Sequence, residues 1–446
     1  MRKLIFGLLS LCLLSLSAQD EPRVLTLEEC LDFAIENNIS LKRAKNNELI
    51  ADANKFQAYM NFLPSLSASI NYDYFFGTFF DTNAARQVTE TTNSSNPNLS
   101  SNLVVFNFLS NHHGLNQRIE EQKAASAGVK GAELNVRVNT LTAYLNSVLS
   151  KENFRISEQR LDLLRNQLER EEKRVSVGVG SLDAVYNLRS QISNEQLNNI
   201  NLKNTVESSL LILLQAMQLN PGDNYEVAGI DIDEIELMLD ADDFDNVLSE
   251  TMSINPDLEQ AKASRKAAEY IMKGSSARRF PTVSAFGRLG SQYSSNGALN
   301  PETGTFESDA PLFDQLQFNE FTYVNFSLNI PIFNRFQLSR EFQVNRVGVA
   351  NADLAYQEAE NNVTNLVQQA YLAMLNSQTT YSSAKNNLEA QTANFEFIKK
   401  RFETGNTDFY SYLESLNNKN RAEGQLVNAR YSIVLRKRIL DLYRGL

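Results

Sequence analysis

Few residues in this chain could do chemistry. Its two histidines, His112 and His113, are adjacent. Neighbouring side chains on a helix point about 100° apart, so the pair makes a poor chelate and reads as structural. Cys12 falls in an apolar leader, with Leu11 where a lipid-anchor signal would want a small residue. Cys30 is then the one cysteine left, which rules out an intrachain disulfide. At a helical apolar position it reads as core filler. Asp240-Ala241-Asp242-Asp243-Phe244-Asp245 looks superficially like a calcium loop but lacks the required glycine and terminal glutamate. It reads better as a solvated acidic helix start. The phosphate-cradling, dinucleotide, zinc-protease and nucleophile-elbow motifs are all missing. The sequence therefore assigns no catalytic, cofactor-binding or metal-ligating residue and reads as a non-enzyme.

The elements around these residues explain more. Arg2 and Lys3 precede a short apolar run and the small residues Ser15, Ser17 and Ala18. That is a secretory signal, 1–18, too short to serve as a good membrane-spanning helix. No later stretch approaches the length of an apolar transmembrane helix. With 42 basic and 53 acidic residues the net charge is −11, which argues against a nucleic-acid partner. Low Gly and Pro, with abundant Asn, Gln, Ala, Leu and Glu, point to long polar-faced helices.

The chain is written twice. Leu63-Pro64-Ser65-Leu66-Ser67-Ala68 returns as Phe280-Pro281-Thr282-Val283-Ser284-Ala285, a separation of 217 (63 to 280). Leu103-Val104-Val105-Phe106-Asn107 returns as Ile330-Pro331-Ile332-Phe333-Asn334, now at 227 (103 to 330). Ala143-Tyr144-Leu145 and Gly178 return at 227 as Ala370-Tyr371-Leu372 and Gly405. The extra length falls in polar stretches, roughly 78–98 and 291–318, which read as surface loops, where duplicated scaffolds tolerate change.

Each copy opens with helices. Thr26 and Glu29 form a capping box, and Pro256 sits inside a helix start. A period-two segment follows: Leu66, Ala68, Ile70, Tyr72 and Tyr74 alternate with Ser67, Ser69, Asn71 and Asp73. In the return strand of the second copy Val324, Phe326, Leu328 and Ile330 alternate with Asn325, Ser327 and Asn329. These are strands with one apolar and one polar face. Coiled-coil spacing then runs through Leu134, Val138, Leu141, Leu145 and Val148. A helix over 111–175 would be roughly 97 Å long and too polar for lipid. The expected plan is a first repeat over 19–219, with strands about 64–76 and 98–107 and long helices about 111–176 and 182–217. An acidic linker spans 220–245. A second repeat covers 246–446, with strands about 281–291 and 321–333 and long helices about 339–402 and 408–443.

Four amphipathic strands cannot close a membrane barrel, because every edge in lipid must be paired. Two chains would give a narrow barrel of about eight strands and three a wider one of about twelve. The polar set Ser67, Ser69, Asn71, Asp73, Asn325, Ser327 and Asn329 would face the lumen. Tyr72, Tyr74, Phe75, Phe76, Phe79 and Phe80 could form an interfacial girdle, or cover an ordinary soluble sheet.

This order resembles the TolC family of outer-membrane efflux proteins over about 24–446. The carriers are Leu25-Thr26-Leu27-Glu28-Glu29 with Asn37-Asn38, the two strand-opening prolines, Ile330-Pro331-Ile332-Phe333-Asn334, and Arg401-Phe402-Glu403-Thr404-Gly405. Family members often place glycines after the Phe-Asn that closes a hairpin. Here Phe108-Leu109 and Arg335-Phe336 stand instead, so differently shaped junctions are expected. The resemblance implies an α+β membrane protein built as a homotrimer. Its twelve-stranded β-barrel would sit in outer-membrane lipid above a periplasmic α-helical barrel. It implies an exit duct that passively conducts substrates. A periplasmic adaptor would dock at the helical tips near Gly178, Gly180, Gly405 and Asp408, and an inner-membrane RND or ABC transporter would supply the energy. By alignment from Gly405, Glu414 and Ser411 take the positions of the family's acidic entrance ring. The competing readings are a solvated helix residue for Glu414 and an N-cap for Asp408. For the whole chain, the alternative is a soluble periplasmic coiled-coil or adaptor-like scaffold.

Overall fold

The computed structural model describes residues 23–81, 85–221, 224–229, 243–300, 302–307 and 310–446. The expected leader 1–18 and most of the expected linker 220–245 lie outside the described residues. The first copy contains β1 (Arg23–Leu25), α1 (Leu27–Asn37), α2 (Ile39–Met60), β2 (Ser65–Asp81), β3 (Arg86–Phe106), α3 (Ser110–Ser176) and α4 (Leu182–Met217). After β4 (Tyr225–Val227), the second contains α5 (Phe244–Ile254), α6 (Pro256–Ala277), β5 (Thr282–Gly290), β9 (Phe321–Asn329), α8 (Gln337–Glu403) and α9 (Phe409–Arg444). Between β5 and β9 lie β6 (Tyr293–Ser294), β7 (Ala298–Leu299), β8 (Phe306–Glu307) and α7 (Leu312–Phe318).

Matching helices have identical lengths: 11 residues in α1 and α5, 22 in α2 and α6, 67 in α3 and α8, and 36 in α4 and α9. The local reasons repeat too. The Thr26 hydroxyl accepts from the Glu29 amide and the Glu29 carboxylate accepts from the Thr26 amide, closing the capping box of α1. Asn38 ends α1, and its side-chain oxygen accepts from the amides of Ser40 and Leu41 to start α2. Asn255 does the same for α6, accepting from Asp257 and Leu258. A single asparagine at each boundary therefore separates two helices instead of letting one continue.

The chain forms two compact units. One contains the residues up to Asn46, Ala127–Glu259 and Glu358–Leu446. Its core includes the fully buried Leu25, Cys30, Tyr144, Leu213, Met217, Val247, Val367 and Ile433. β1 pairs with β4 in parallel, Arg23 opposite Tyr225. The Tyr144 hydroxyl donates to the Ala228 carbonyl at 2.9 Å, which satisfies the one polar atom this large side chain brings inside.

The other unit contains Asn47–Ser126 and Gln260–Gln357. Its sheet has the strand order β2-β3-β5-β9, all antiparallel, with β6 added beside β3. The expected loop over 78–98 is corrected here. From Arg86 onward that stretch is strand, paired to β2 from Asp81 opposite Arg86 to Ser65 opposite Asn102. Its Ser, Thr and Asn side chains pair across the ladder, as Thr78 and Thr89 do with hydroxyl oxygens 2.7 Å apart. A strand polar on both faces carries no hydrophobic alternation and so reads as loop. The return strand of the second copy is also shorter than expected: β9 stops at Asn329, just before Pro331, which has no amide hydrogen to donate. The 291–318 stretch folds around the buried Gln315. Its side chain accepts from the Ser294 amide at 3.0 Å and donates to the carbonyls of Ser294 and Ala310.

Both strand-to-helix junctions have the same backbone shape. Phe108, Leu109, Arg335 and Phe336 have φ of 50°, 66°, 54° and 59°. In each turn the fourth amide returns to the first carbonyl, Ser110 to Asn107 at 3.0 Å and Gln337 to Asn334 at 3.1 Å. Two consecutive positive φ values are what glycine adopts freely. The junctions therefore share one left-handed shape without glycine, at a cost of about 1–2 kcal/mol per residue.

Candidate functional site

The sheet separates its side chains by register. Residues directly opposite one another share a face. Ser67 lies opposite Ser100, Ser100 opposite Arg288, and Arg288 opposite Tyr323. Asn325, Ser327 and Asn329 lie opposite Phe286, Ser284 and Thr282 in the same alternation. All seven expected polar residues, Ser67, Ser69, Asn71, Asp73, Asn325, Ser327 and Asn329, thus fall on one face. The face is hydrogen-bonded across strands: the Ser67 and Ser100 hydroxyl oxygens are 2.9 Å apart, and the Asn98 amide donates to Ser69 at 2.8 Å.

The opposite face carries Leu66, Ile70, Tyr72, Leu289, Phe326 and Leu328, all exposed to the surroundings of the single chain. Phe76 and Phe326 are 78% and 74% exposed, an apolar sheet surface without cover. Tyr74, Phe76 and Phe80 share that face by alternation. Phe75 falls on the polar side, so it leaves the expected girdle, and the side chain of Phe79 lies outside the described residues. Of the polar residues of β3 on this face, Ser94 and Asn96 fell in the expected loop, and Asn98 and Ser100, inside the expected strand, were not assigned to the polar set. Their signal was the repeat itself, because a strand must return where its copy returns.

The helical tips are built alike. The Gly178 amide bonds the Val175 carbonyl at 3.0 Å and the Val179 amide bonds Arg174 at 2.9 Å. The Gly405 amide bonds Phe402 at 3.0 Å and the Asn406 amide bonds Arg401 at 2.8 Å. These are matching Schellman ends, with Gly178 and Gly405 at φ 80° and 74°. Gly180 is needed for space: a Cβ there would lie 2.5 Å from the Val175 nitrogen.

Beyond the second tip, Asp408 caps α9. Its carboxylate accepts from the Ser411 amide at 2.8 Å and from the Ser411 hydroxyl at 2.9 Å. Those bonds hold its carboxyl below the usual range, the backbone donor contributing most. Ser411 is therefore engaged in the cap. Glu414, one turn on, is exposed and makes no ion pair among the described residues. A tyrosine–glutamine bond lies close by, with Gln167 donating to the Tyr412 hydroxyl at 2.8 Å.

The reactive side chains are quiet. Burial, with a smaller contribution from Glu29, pushes the Cys30 thiol up to about 12, so it stays protonated at neutral pH. Burial chiefly, with smaller electrostatic contributions from His112 and Lys273, lowers the pKa of His113. Among the described residues no three His, Cys, Asp or Glu side chains converge to hold a metal, and no helix is long and apolar enough to cross a membrane.

Against known proteins, residues 30–217 and 247–445 match the sequence profile of the family described as outer membrane efflux protein. No curated protein matches the chain. Among solved structures it is similar to the outer membrane protein VceC of Vibrio cholerae, with 14% identity and a TM-score of 0.70. That alignment covers 94% of this chain and 95% of the other. The CmeC outer membrane channel of Campylobacter jejuni gives 18% and 0.70 over 94% and 85% of the chains. The MtrE outer membrane channel of Neisseria gonorrhoeae, in an open state, gives 19% and 0.70 over 94% and 88%.

Proposed function

The chain belongs to the outer membrane efflux protein family, and from that premise we propose that it is the exit duct of a tripartite efflux or type I secretion system. The family consists of channels rather than enzymes, and the protein resides in the outer membrane. The observation that carries the reading is the four-stranded sheet with one polar face, one uncovered apolar face, and β2 and β9 at its two ends. In lipid those end strands must find partners, and none pairs their outer edges among the described residues. Three copies joined β9 to β2 would make a closed barrel of about twelve strands with the polar face inward.

In this reading substrates pass without chemistry through the polar lumen. The long helix pairs form the periplasmic tunnel, and energy comes from an inner-membrane RND or ABC transporter. The tips at Gly178, Gly180, Gly405 and Asp408 meet a periplasmic adaptor. Three Glu414 carboxylates around one axis would select cations at the entrance. Ser411, engaged with Asp408, adds no charge there.

The test pairs cysteines at facing positions of the outer edges of β2 and β9 in a Cys30→Ser background. Disulfide-linked trimers in the outer-membrane fraction are expected. Recovery in the soluble periplasmic fraction, uncrosslinked, would favour the scaffold reading instead.

A further inference from the structure

We propose that the junction closing the second hairpin binds the phosphate of a phospholipid headgroup in the periplasmic leaflet, through Arg335, Arg340 and Arg279. The inference rests on the strands lying in the outer membrane.

The starting observation is the left-handed backbone of both junctions. Glycine would adopt it without strain, yet the chain places side chains there, Phe108 and Leu109 in the first copy and Arg335 and Phe336 in the second. Strain retained at matched places in both copies points to a use for what those positions present. The first junction presents only apolar groups, with Phe108 stacked on Phe280 at a centroid distance of 4.5 Å. The second presents a cation beside an aromatic ring. Phe336 is 71% exposed and meets Phe333 edge-on at 5.7 Å.

Charge separates the copies further. Arg278 and Arg279 follow α6, and Arg335 and Arg340 flank the start of α8, where the repeat places Asn61, Phe62, Phe108 and His113 in the first copy. Contacts bring Arg278 and Arg279 onto the start of α8. Arg278 pairs with Glu341 at 2.7 Å, and the Arg279 guanidinium lies 4.3 Å over the Phe342 ring. Glu341 neutralises one of the four arginines. Arg335 and Arg340 are exposed and have no ion pair among the described residues. A guanidinium fork fits phosphate oxygens bidentately, and a cation stacked on a ring keeps its donors for such a ligand.

The position suits a headgroup. Arg335 follows Ile332 and Phe333, which are 93% and 73% exposed, directly after the apolar face of β9 ends. The residues next beyond a membrane strand lie at headgroup depth, where cationic side chains with apolar stems settle. The whole chain contains no tryptophan, so interfacial anchoring falls to other amphipathic side chains.

The test titrates the detergent-purified full chain with phosphatidylglycerol, phosphatidylethanolamine and diacylglycerol of equal acyl length, counting bound lipids by native mass spectrometry. Both phospholipids should bind at least ten-fold more tightly than diacylglycerol. Arg279→Gln, Arg335→Gly and Arg340→Gln together should reduce phospholipid binding by ten-fold or more. Arg335→Gly also relieves strain, so its lipid loss should come with a raised melting temperature. Leu109→Gly relieves the same strain at the first junction and should leave lipid binding unchanged. Equal binding of diacylglycerol or full binding by the triple variant would each overturn the proposal. A protein that fractionates as soluble would instead remove the outer-membrane placement beneath it, and fractionation reads that separately.

Discussion

Leu109 and Phe336 stand 227 residues apart in sequence and hold the same left-handed backbone, φ 66° and 59°. Neither is glycine, so the shape is imposed by the strand before it and the long helix after it.

Replacing Leu109 by glycine should therefore raise stability by about 1 kcal/mol, since the side chain is exposed and the backbone penalty disappears. Thermal unfolding followed by circular dichroism checks this. A lowered midpoint would show that Leu109 packs against something in the assembled protein.

The tips give an ordering. Gly180→Ala places a Cβ 2.5 Å from the Val175 nitrogen, a clash with backbone that only a shift of the turn can relieve. Gly405→Ala meets nothing within 4 Å and suffers only its φ of 74°. The first should cost about 2 kcal/mol or more and the second about 1 kcal/mol, measured as loss of thermal stability.

The two faces of β9 should respond oppositely to charge. Phe326→Arg puts a cation on the apolar face, at about 2–4 kcal/mol per chain near the bilayer midplane. Outer-membrane recovery should collapse. Ser327→Arg, one residue on and facing the polar side, should assemble normally and lower single-channel conductance.

Asp408 predicts an acid-sensitive tip. Its folded pKa lies below the ordinary carboxylate value because the charged form accepts from Ser411. The cap's contribution is thus fully present above the unfolded pKa and is lost as pH falls through the folded one. Asp408→Asn keeps a cap without the titration. Between neutral pH and about pH 3 the wild type should lose more stability than Asp408→Asn; parallel losses would remove Asp408 as the cause.

Glu414→Gln tests the entrance. In planar-bilayer recordings the substitution should lower cation selectivity and flatten its pH dependence. Unchanged selectivity and pH response would return Glu414 to the solvated helix surface.

Much of this protein was legible in its residues. Duplication was written in Leu63-Pro64 and Phe280-Pro281 and in the glycines at 178 and 405. The capping box at Thr26 and Glu29 marked the start of α1, because a helix end must satisfy its amides with whatever side chain is nearest. The alternation from Ser67 to Asp73 separated a polar from an apolar face, because period two is inherent in an extended chain. Three things needed the tertiary structure. The polar run from Arg86 to Asn98 became strand only because β2 lies beside it to receive its hydrogen bonds. The four residues Phe108, Leu109, Arg335 and Phe336 took a left-handed backbone against their own preference, so no local rule could announce it. Arg278 and Arg279 lie 56 positions or more before Arg335 and Arg340 (279 to 335). The ion pair of Arg278 with Glu341 and the stacking of Arg279 on Phe342 bring the first pair to the start of α8, and contacts between distant segments exist only once the chain has folded.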